Sequence, residues 1–187
     1  AVSTYVNDWM GFLPYTEFKT RNGRKRIMNE AQLQNEPAAL FSALREVHGM
    51  YVRQQLALLN ALQERFGAEV AQVVEQENSA QVCRAFLAGA DGAGSVDDLI
   101  ARLWEPLRAK GYEFSVTRGD EGVQIHCTAC PWARLYRNLG GADWGYRLYC
   151  AADAALTAGF NAQIGFQRTK TLMEGHDCCD HLYIMKD

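Results

Sequence analysis

Apolar residues in the first half of the chain recur with the spacing of helices. From Pro37 they return every three or four positions, which predicts a long helix that ends near Gly67. The same spacing continues to Leu87, ahead of a glycine-rich turn at 89–94, and predicts one or two further helices. Ser95 precedes two aspartates and a stripe of leucines, which predicts a capped helix. The apolar positions that carry these predictions are Leu40, Leu44, Val47, Tyr51, Leu58, Leu59, Leu62, Phe66, Val70, Val73, Val74, Val82, Cys83, Phe86, Leu99, Leu103 and Leu107.

The second half of the chain changes to the alternating pattern of β-strands. Alternation from Tyr112 to Cys127, around a turn at 119–122, predicts a β-hairpin. The elements expected after it are, in order, a helix from Pro131 to Gly140 and Gly141, a helix capped by Asp143 and running to about Gly159, a strand around Ile164 and Phe166, and a strand over Leu182–Lys186. Because helices come first and strands later, we expect an α+β fold, with N-terminal helices followed by a small, mainly antiparallel sheet packed with helices.

Residues 1–27 follow neither period. Their aromatic side chains are mixed with polar ones, so we interpret this stretch as an irregular N-terminal arm that packs on the body or forms a contact in a homo-oligomer. Proline occurs at only four positions, and no stretch has the composition of a linker. We therefore expect residues 28–187 to form a single α+β domain.

Composition narrows the class of protein. Hydrophobic residues make up 48% and charged residues 22%, as is typical of globular chains, and the net charge of -3 gives little support for nucleic-acid binding. No apolar run is long enough to span a membrane, and the N-terminus has no basic region followed by an apolar one. We therefore expect a cytoplasmic protein without nucleic-acid or membrane partners, whose six cysteines are reduced.

Most of the reactive side chains lie in the last third of the chain. Five of the six cysteines and three of the four histidines fall there. This cluster consists of His126, Cys127, Cys130, Cys150, Asp153, His176, Cys178, Cys179, Asp180 and His181. Such a concentration predicts a functional pocket at this end.

Cys130 is the candidate nucleophile. It directly precedes Pro131 at a predicted helix start, where unpaired backbone N–H groups and the helix dipole lower the pKa of a thiol. The alternative is a structural cysteine in a tight corner between strand and helix. Cys150 and Asp153 are three residues apart and share one face of a predicted helix with Tyr146. Asp153 could then serve as a general base, a substrate anchor or a structural hydrogen-bond acceptor.

A metal site is an alternative use of the same cysteines. Cys127-x2-Cys130, followed by Cys150-x2-Asp153, resembles a four-ligand zinc spacing in which an aspartate replaces one cysteine. Cys178, Cys179, His176 or His181 could replace one of these ligands. A zinc ion or an iron–sulfur cluster held by Cys127, Cys130, Cys150 and Cys178 therefore stays open.

Several of these residues occur in the order of a known family. The matching segments are Cys130-Pro131, Tyr149-Cys150-x2-Asp153, Phe160-Asn161, the run from Phe166 to Leu172, and Gly175-x2-Cys178. Together they resemble the L-2-amino-thiazoline-4-carboxylic acid hydrolase-like family, loosely over residues 36–187 and more specifically over 123–183. Two features depart from the family pattern: Ala162 stands where a proline is frequent, and Cys127 and Cys179 are additional.

The resemblance implies a hydrolase that opens a 2-amino-thiazoline ring to a carbamoyl-cysteine product and that requires no cofactor. Cys130 would attack the ring carbon, or would orient a water activated by Asp153 or His176. The small-molecule substrate, which carries a carboxylate, would be bound by Cys150, Arg168, Arg134 and Tyr146. A weaker resemblance, to small-molecule-binding domains of the 4-vinyl-reductase type, implies a sensor that is not an enzyme.

Overall fold

The computed structural model describes residues 37–87 and 92–186, together with two strands at 16–19 and 25–28. The chain divides into two compact units, residues 1–54 and residues 55–187. All of the side-chain chemistry considered below lies in the second unit. The boundary predicted between residues 27 and 28 stays a prediction.

The first unit contains a β-hairpin. Strand β1 (Thr16–Lys19) pairs with β2 (Lys25–Met28) in antiparallel register, with Thr16 opposite Met28. The expectation of an irregular arm is therefore wrong for these residues. The missed signal is the dipeptide Asn22-Gly23 between the strands, which is typical of hairpin turns. The rest of the predicted arm lies outside the described residues.

Two long helices confirm the prediction that was made from the spacing of apolar residues in the first half of the chain. The helices are α1 (Pro37–Phe66), α2 (Glu69–Leu87), α3 (Val96–Leu99), α4 (Glu105–Arg108), α5 (Pro131–Asn138), α6 (Ala142–Gly145) and α7 (Asp153–Phe160), with π-helical turns at Ile100–Trp104 and Tyr146–Cys150. Ser95 caps α3 as predicted, because its hydroxyl accepts from the Asp98 amide at 3.2 Å while the Asp98 carboxylate accepts from the Ser95 amide at 2.8 Å. The glycine turn predicted at 89–94 lies partly outside the described residues. None of the described helices combines the length and apolar character that crossing a bilayer requires.

The second unit contains a four-stranded antiparallel sheet. Its strands are β3 (Glu113–Gly119), β4 (Gly122–Ala129), β5 (Ile164–Gln167) and β6 (Cys179–Met185), in the order β3-β4-β6-β5. The predicted hairpin and the predicted α+β class are confirmed. The last strand begins at Cys179, three residues before the predicted start at Leu182.

One face of the sheet packs against the segment that contains α3 and the following π-helical turn. Leu99 and Ile125 are fully buried there, next to Trp104 and Tyr183. The indole N–H of Trp104 donates to the Tyr183 hydroxyl at 2.9 Å, which satisfies both polar groups inside the core. The sheet residues on this face are thereby part of a buried hydrophobic core.

The helix predicted from Asp143 to Gly159 is divided in two. Gly141, not Asp143, is the N-cap of α6, and the Asp143 carboxylate accepts from Arg147 at 3.1 Å instead. After the π-helical turn the chain makes a short turn and starts again as α7. Asp153 is the first residue of α7, where the helix dipole favours a carboxylate.

Candidate functional site

Cys130 occupies the N-cap position of α5, as the sequence predicts. Its sulfur accepts a hydrogen bond from the Ala133 amide at 3.4 Å, and Pro131 is the first helical residue. The expected net lowering of its pKa is not found. Burial raises the pKa of Cys130, and this exceeds the lowering caused by the Ala133 amide and by the Tyr112 hydroxyl. At rest Cys130 is therefore a protonated thiol.

A cleft of about 510 Å³ opens beside Cys130. Arg134 and Arg137 from α5 line it, as does Leu172 from the segment after β5. Arg137 donates to the Leu172 carbonyl at 3.3 Å, whereas the exposed Arg134 forms no ion pair within the described part of the chain. A cleft of this size that holds a thiol and two guanidinium groups is suited to a small anionic molecule.

Arg168 contacts three other predicted site residues. Its Nη1 donates to Asp153 Oδ2 in a short contact and to the Cys150 carbonyl at 3.1 Å. Its Nη2 lies 3.5 Å from the Tyr146 hydroxyl. The Arg168 side chain is only 7% exposed and is directed at Asp153. Arg168 therefore holds the carboxylate of Asp153, which belongs to the protein and not to a substrate.

His181 approaches the same carboxylate from β6. Its Nε2 lies 3.3 Å from Asp153 Oδ2, and its ring packs edge-on against Trp104, with the ring centroids 4.8 Å apart. Its Nδ1 is buried and has no hydrogen-bond partner among the described residues. Sequence reasoning placed His181 in the reactive cluster but gave the catalytic role to His176. The alternation of Cys179, His181 and Tyr183 along one face of β6 was the available signal.

His176 lies in the exposed turn that precedes β6. Its backbone amide donates to the Thr171 carbonyl at 3.1 Å, and its side chain makes no hydrogen bond or ion pair to any described residue. Its predicted role as a base stays a prediction.

Cys179 is the second residue that sequence reasoning placed in the reactive cluster without assigning it a catalytic or binding role. It stands directly opposite Cys127 in the register of β4 and β6, and both residues are buried. The Leu172 amide donates to the Cys179 sulfur at 3.2 Å. The adjacent Cys127 thiol, this amide, and the nearby His181 and Arg168 together lower the pKa of Cys179 against the opposing effect of burial. The same contact with Cys179, and burial, raise the pKa of Cys127. The environment of the pair therefore favours the thiolate at Cys179 and the thiol at Cys127.

Comparison with known families places this geometry in context. The family model of L-2-amino-thiazoline-4-carboxylic acid hydrolase matches residues 26–183. The chain belongs to this family. No curated protein and no solved structure matches it. The matched range of this L-2-amino-thiazoline-4-carboxylic acid hydrolase family member contains the cleft, the Arg168 contacts and the opposed cysteines.

The described cysteines of this hydrolase family member are not arranged as a metal site. Burial raises the pKa of Cys150, and the neighbouring Asp153 charge raises it further. Cys178 is buried, but its thiol interacts with Asp177. In residues 37–87 and 92–186, no three His, Cys, Asp or Glu side chains are arranged so that they could hold a metal ion. The zinc or iron–sulfur site predicted from Cys127, Cys130, Cys150 and Cys178 has no support in this geometry and stays a prediction.

Proposed function

We propose that this member of the L-2-amino-thiazoline-4-carboxylic acid hydrolase family opens a 2-amino-thiazoline ring that carries a carboxylate, in the cleft beside Cys130. The observation that carries the proposal is the presence of Cys130, Arg134 and Arg137 in one cleft. The substrate carboxylate pairs with Arg134, because that guanidinium lines the cleft without an ion-pair partner from the described chain. This leaves the amidine carbon C2 of the ring directed at the Cys130 thiol.

The resting thiol suits addition to a C=N bond. The Cys130 sulfur forms a bond to C2 while its proton goes to the ring nitrogen. The bond between C2 and the ring sulfur then breaks as the C=N bond re-forms, and the ring sulfur leaves with the proton. Water adds to C2, the bond to Cys130 breaks, and the cysteine regains its proton. One water is consumed, and the product is a carbamoyl-cysteine.

Asp153 is the candidate for the base that activates this water. Arg168 and His181 hold its carboxylate in one orientation, so little reorganisation is needed when it accepts a proton. Its charge acts on Tyr112, which hydrogen-bonds to Cys130. On this proposal Arg168 is a positioning residue, and Arg134 is the residue that binds the substrate carboxylate.

Turnover of 2-amino-thiazoline-4-carboxylate by the purified full chain, followed by mass spectrometry of the product, tests the proposal. We expect Cys130→Ser to lose activity by roughly 1,000-fold. The matched control Cys83→Ser, which changes a half-buried cysteine on α2, keeps it. Absence of turnover in the unaltered protein, or full turnover by Cys130→Ser, would contradict the proposal.

The arginine assignment needs a separate comparison. Arg134→Gln should raise KM about tenfold, equivalent to about 1.4 kcal/mol, with little change in kcat, because its contact is made in the ground state and the transition state alike. Arg118→Gln is the matched control, since Arg118 pairs with Asp97 on the surface. An equal effect of both variants on KM would show that Arg134 does not hold the carboxylate.

A further inference from the structure

Cys127 and Cys179 have the placement that a disulfide requires. Residues that are directly opposite each other in an antiparallel pair project to the same face, with Cα atoms about 4.5–5.5 Å apart. A disulfide needs a Cα separation of about 4.4–6.8 Å, so either type of opposed position allows one. Both thiols are free in this structure, and the Cys127 thiol donates to the Ala129 carbonyl at 3.4 Å.

We propose that this opposed pair is a reversible oxidation site, at which a hydroperoxide joins Cys127 and Cys179 in a cross-strand disulfide. The two sulfurs have different environments, and each environment suits one of the two steps, which are attack on the peroxide and formation of the disulfide. The Cys179 sulfur accepts from the Leu172 amide and lies near Arg168 and His181. Donors and positive charge around a sulfur stabilise a thiolate, which is the form that attacks a peroxide. Cys127 keeps its proton and supplies the second sulfur.

The reaction balances with the hydroperoxide as the only oxidant. The Cys179 thiolate attacks one peroxide oxygen, the O–O bond breaks, and Cys179 becomes a sulfenic acid while the other oxygen leaves as hydroxide or alkoxide. The Cys127 sulfur then attacks the Cys179 sulfur, the S–O bond breaks, and the departing oxygen leaves as water with the thiol proton. The peroxide gains the two electrons that the two thiols lose. A small-molecule dithiol reverses the process by exchange.

Burial makes the site selective for a small neutral oxidant. Cys127 is 2% exposed and Cys179 is 7% exposed, so a bulky disulfide has little access to either sulfur. Cys130 is more accessible from the cleft, but burial raises its pKa and keeps it a thiol. Cys150 is held as a thiol for the same reason. Hydrogen peroxide should therefore react first at Cys179.

Oxidation of the reduced full chain by stoichiometric hydrogen peroxide at neutral pH tests this inference. The products are denatured in the presence of dimedone, which labels sulfenic acids, so that burial does not limit the labelling. They are then alkylated and mapped by mass spectrometry. We expect a loss of two free thiols, a peptide linked between Cys127 and Cys179, no dimedone label, and full reversal by dithiothreitol. The readout is independent of hydrolase activity, so its failure and failure of the proposed function are distinguishable.

Single variants separate the two roles. Cys127→Ser should form no linked peptide and should carry one dimedone label at Cys179, whereas Cys179→Ser should form neither product. Cys178→Ser is the matched control and keeps the linkage, because it removes the adjacent cysteine only. A major disulfide between any other cysteines in the unaltered protein would overturn the inference. Dimedone labelling of Cys130 in the unaltered protein would also overturn the inference. This outcome does not depend on whether any variant folds.

Discussion

Replacement of Arg168 by methionine tests the ion pair that organises the candidate site. The substitution keeps a long apolar stem and removes the guanidinium. Asp153 then loses its cationic partner, and the Cys150 carbonyl loses a donor. The Arg168 side chain is 7% exposed and that of Asp153 is 26% exposed, so water replaces only part of what is lost.

The expected cost follows from this burial. Removal of one partner from a buried ion pair costs about 3–5 kcal/mol, and the partial exposure of Asp153 places Arg168→Met near the lower end, at about 3 kcal/mol. Asp153→Asn leaves the more deeply buried Arg168 unpaired and should cost about as much. The double variant leaves no unpaired charge, so it should cost about 2 kcal/mol less than the two single costs together.

Urea unfolding of the full chain, followed by tryptophan fluorescence, measures these free energies of unfolding. Arg118→Met is the control, because Arg118 pairs with Asp97 at the surface and its loss should cost less than about 0.5 kcal/mol. A loss below about 1 kcal/mol for Arg168→Met would refute the reasoning, as would strict additivity in the double variant.

Two further predictions concern packing and titration. Gly159→Ala places a methyl carbon 2.6 Å from the backbone oxygen of Cys83, so it should lower the free energy of unfolding by about 1–3 kcal/mol. In the same assay, Gly49→Ala in α1 places its methyl carbon in ordinary van der Waals contact, 3.7 Å from Nη2 of Arg53, and should stabilise by up to about 1 kcal/mol. A stabilising effect at both positions would contradict the close approach at Gly159. Alkylation of Cys179 by a small neutral electrophile should slow with a midpoint below the usual pKa of a thiol as the pH is lowered, because protonation removes the thiolate. Cys127→Ala should move this midpoint to higher pH, and an unchanged midpoint would show that the Cys127 thiol is not its cause.

Local signals account for the parts of the fold that the sequence predicted well. Pro131 pre-sets the first helical turn and marks the start of α5, and Ser95 marks α3 because a hydroxyl can replace missing backbone partners. The division between α6 and α7 was missed, because an alanine-rich stretch from 151 to 155 has no local feature that ends a helix. The N-terminal hairpin was missed because its strands do not alternate clearly.

The site was predictable only where its residues are neighbours along the chain. Cys130 and Arg134 lie one helical turn apart, so their common cleft follows from the start of α5. The contact between His181 and Asp153 depends on where β6 begins and how it pairs with β4, which no local pattern specifies. The direction of the pKa shift at Cys130 depends on burial, and burial is a property of the assembled tertiary structure.

The position of β6 in the sheet has a consequence for how the protein folds. This strand is the last described element along the chain, yet it lies between β4 and β5 in space. Pairing Cys127 with Cys179 closes a long loop, which costs chain entropy before the contacts can compensate. During synthesis, β4 therefore waits with an open edge while α5, α6 and α7 emerge. We expect the sheet and the environment of Asp153 to form together in one late step, when β6 inserts.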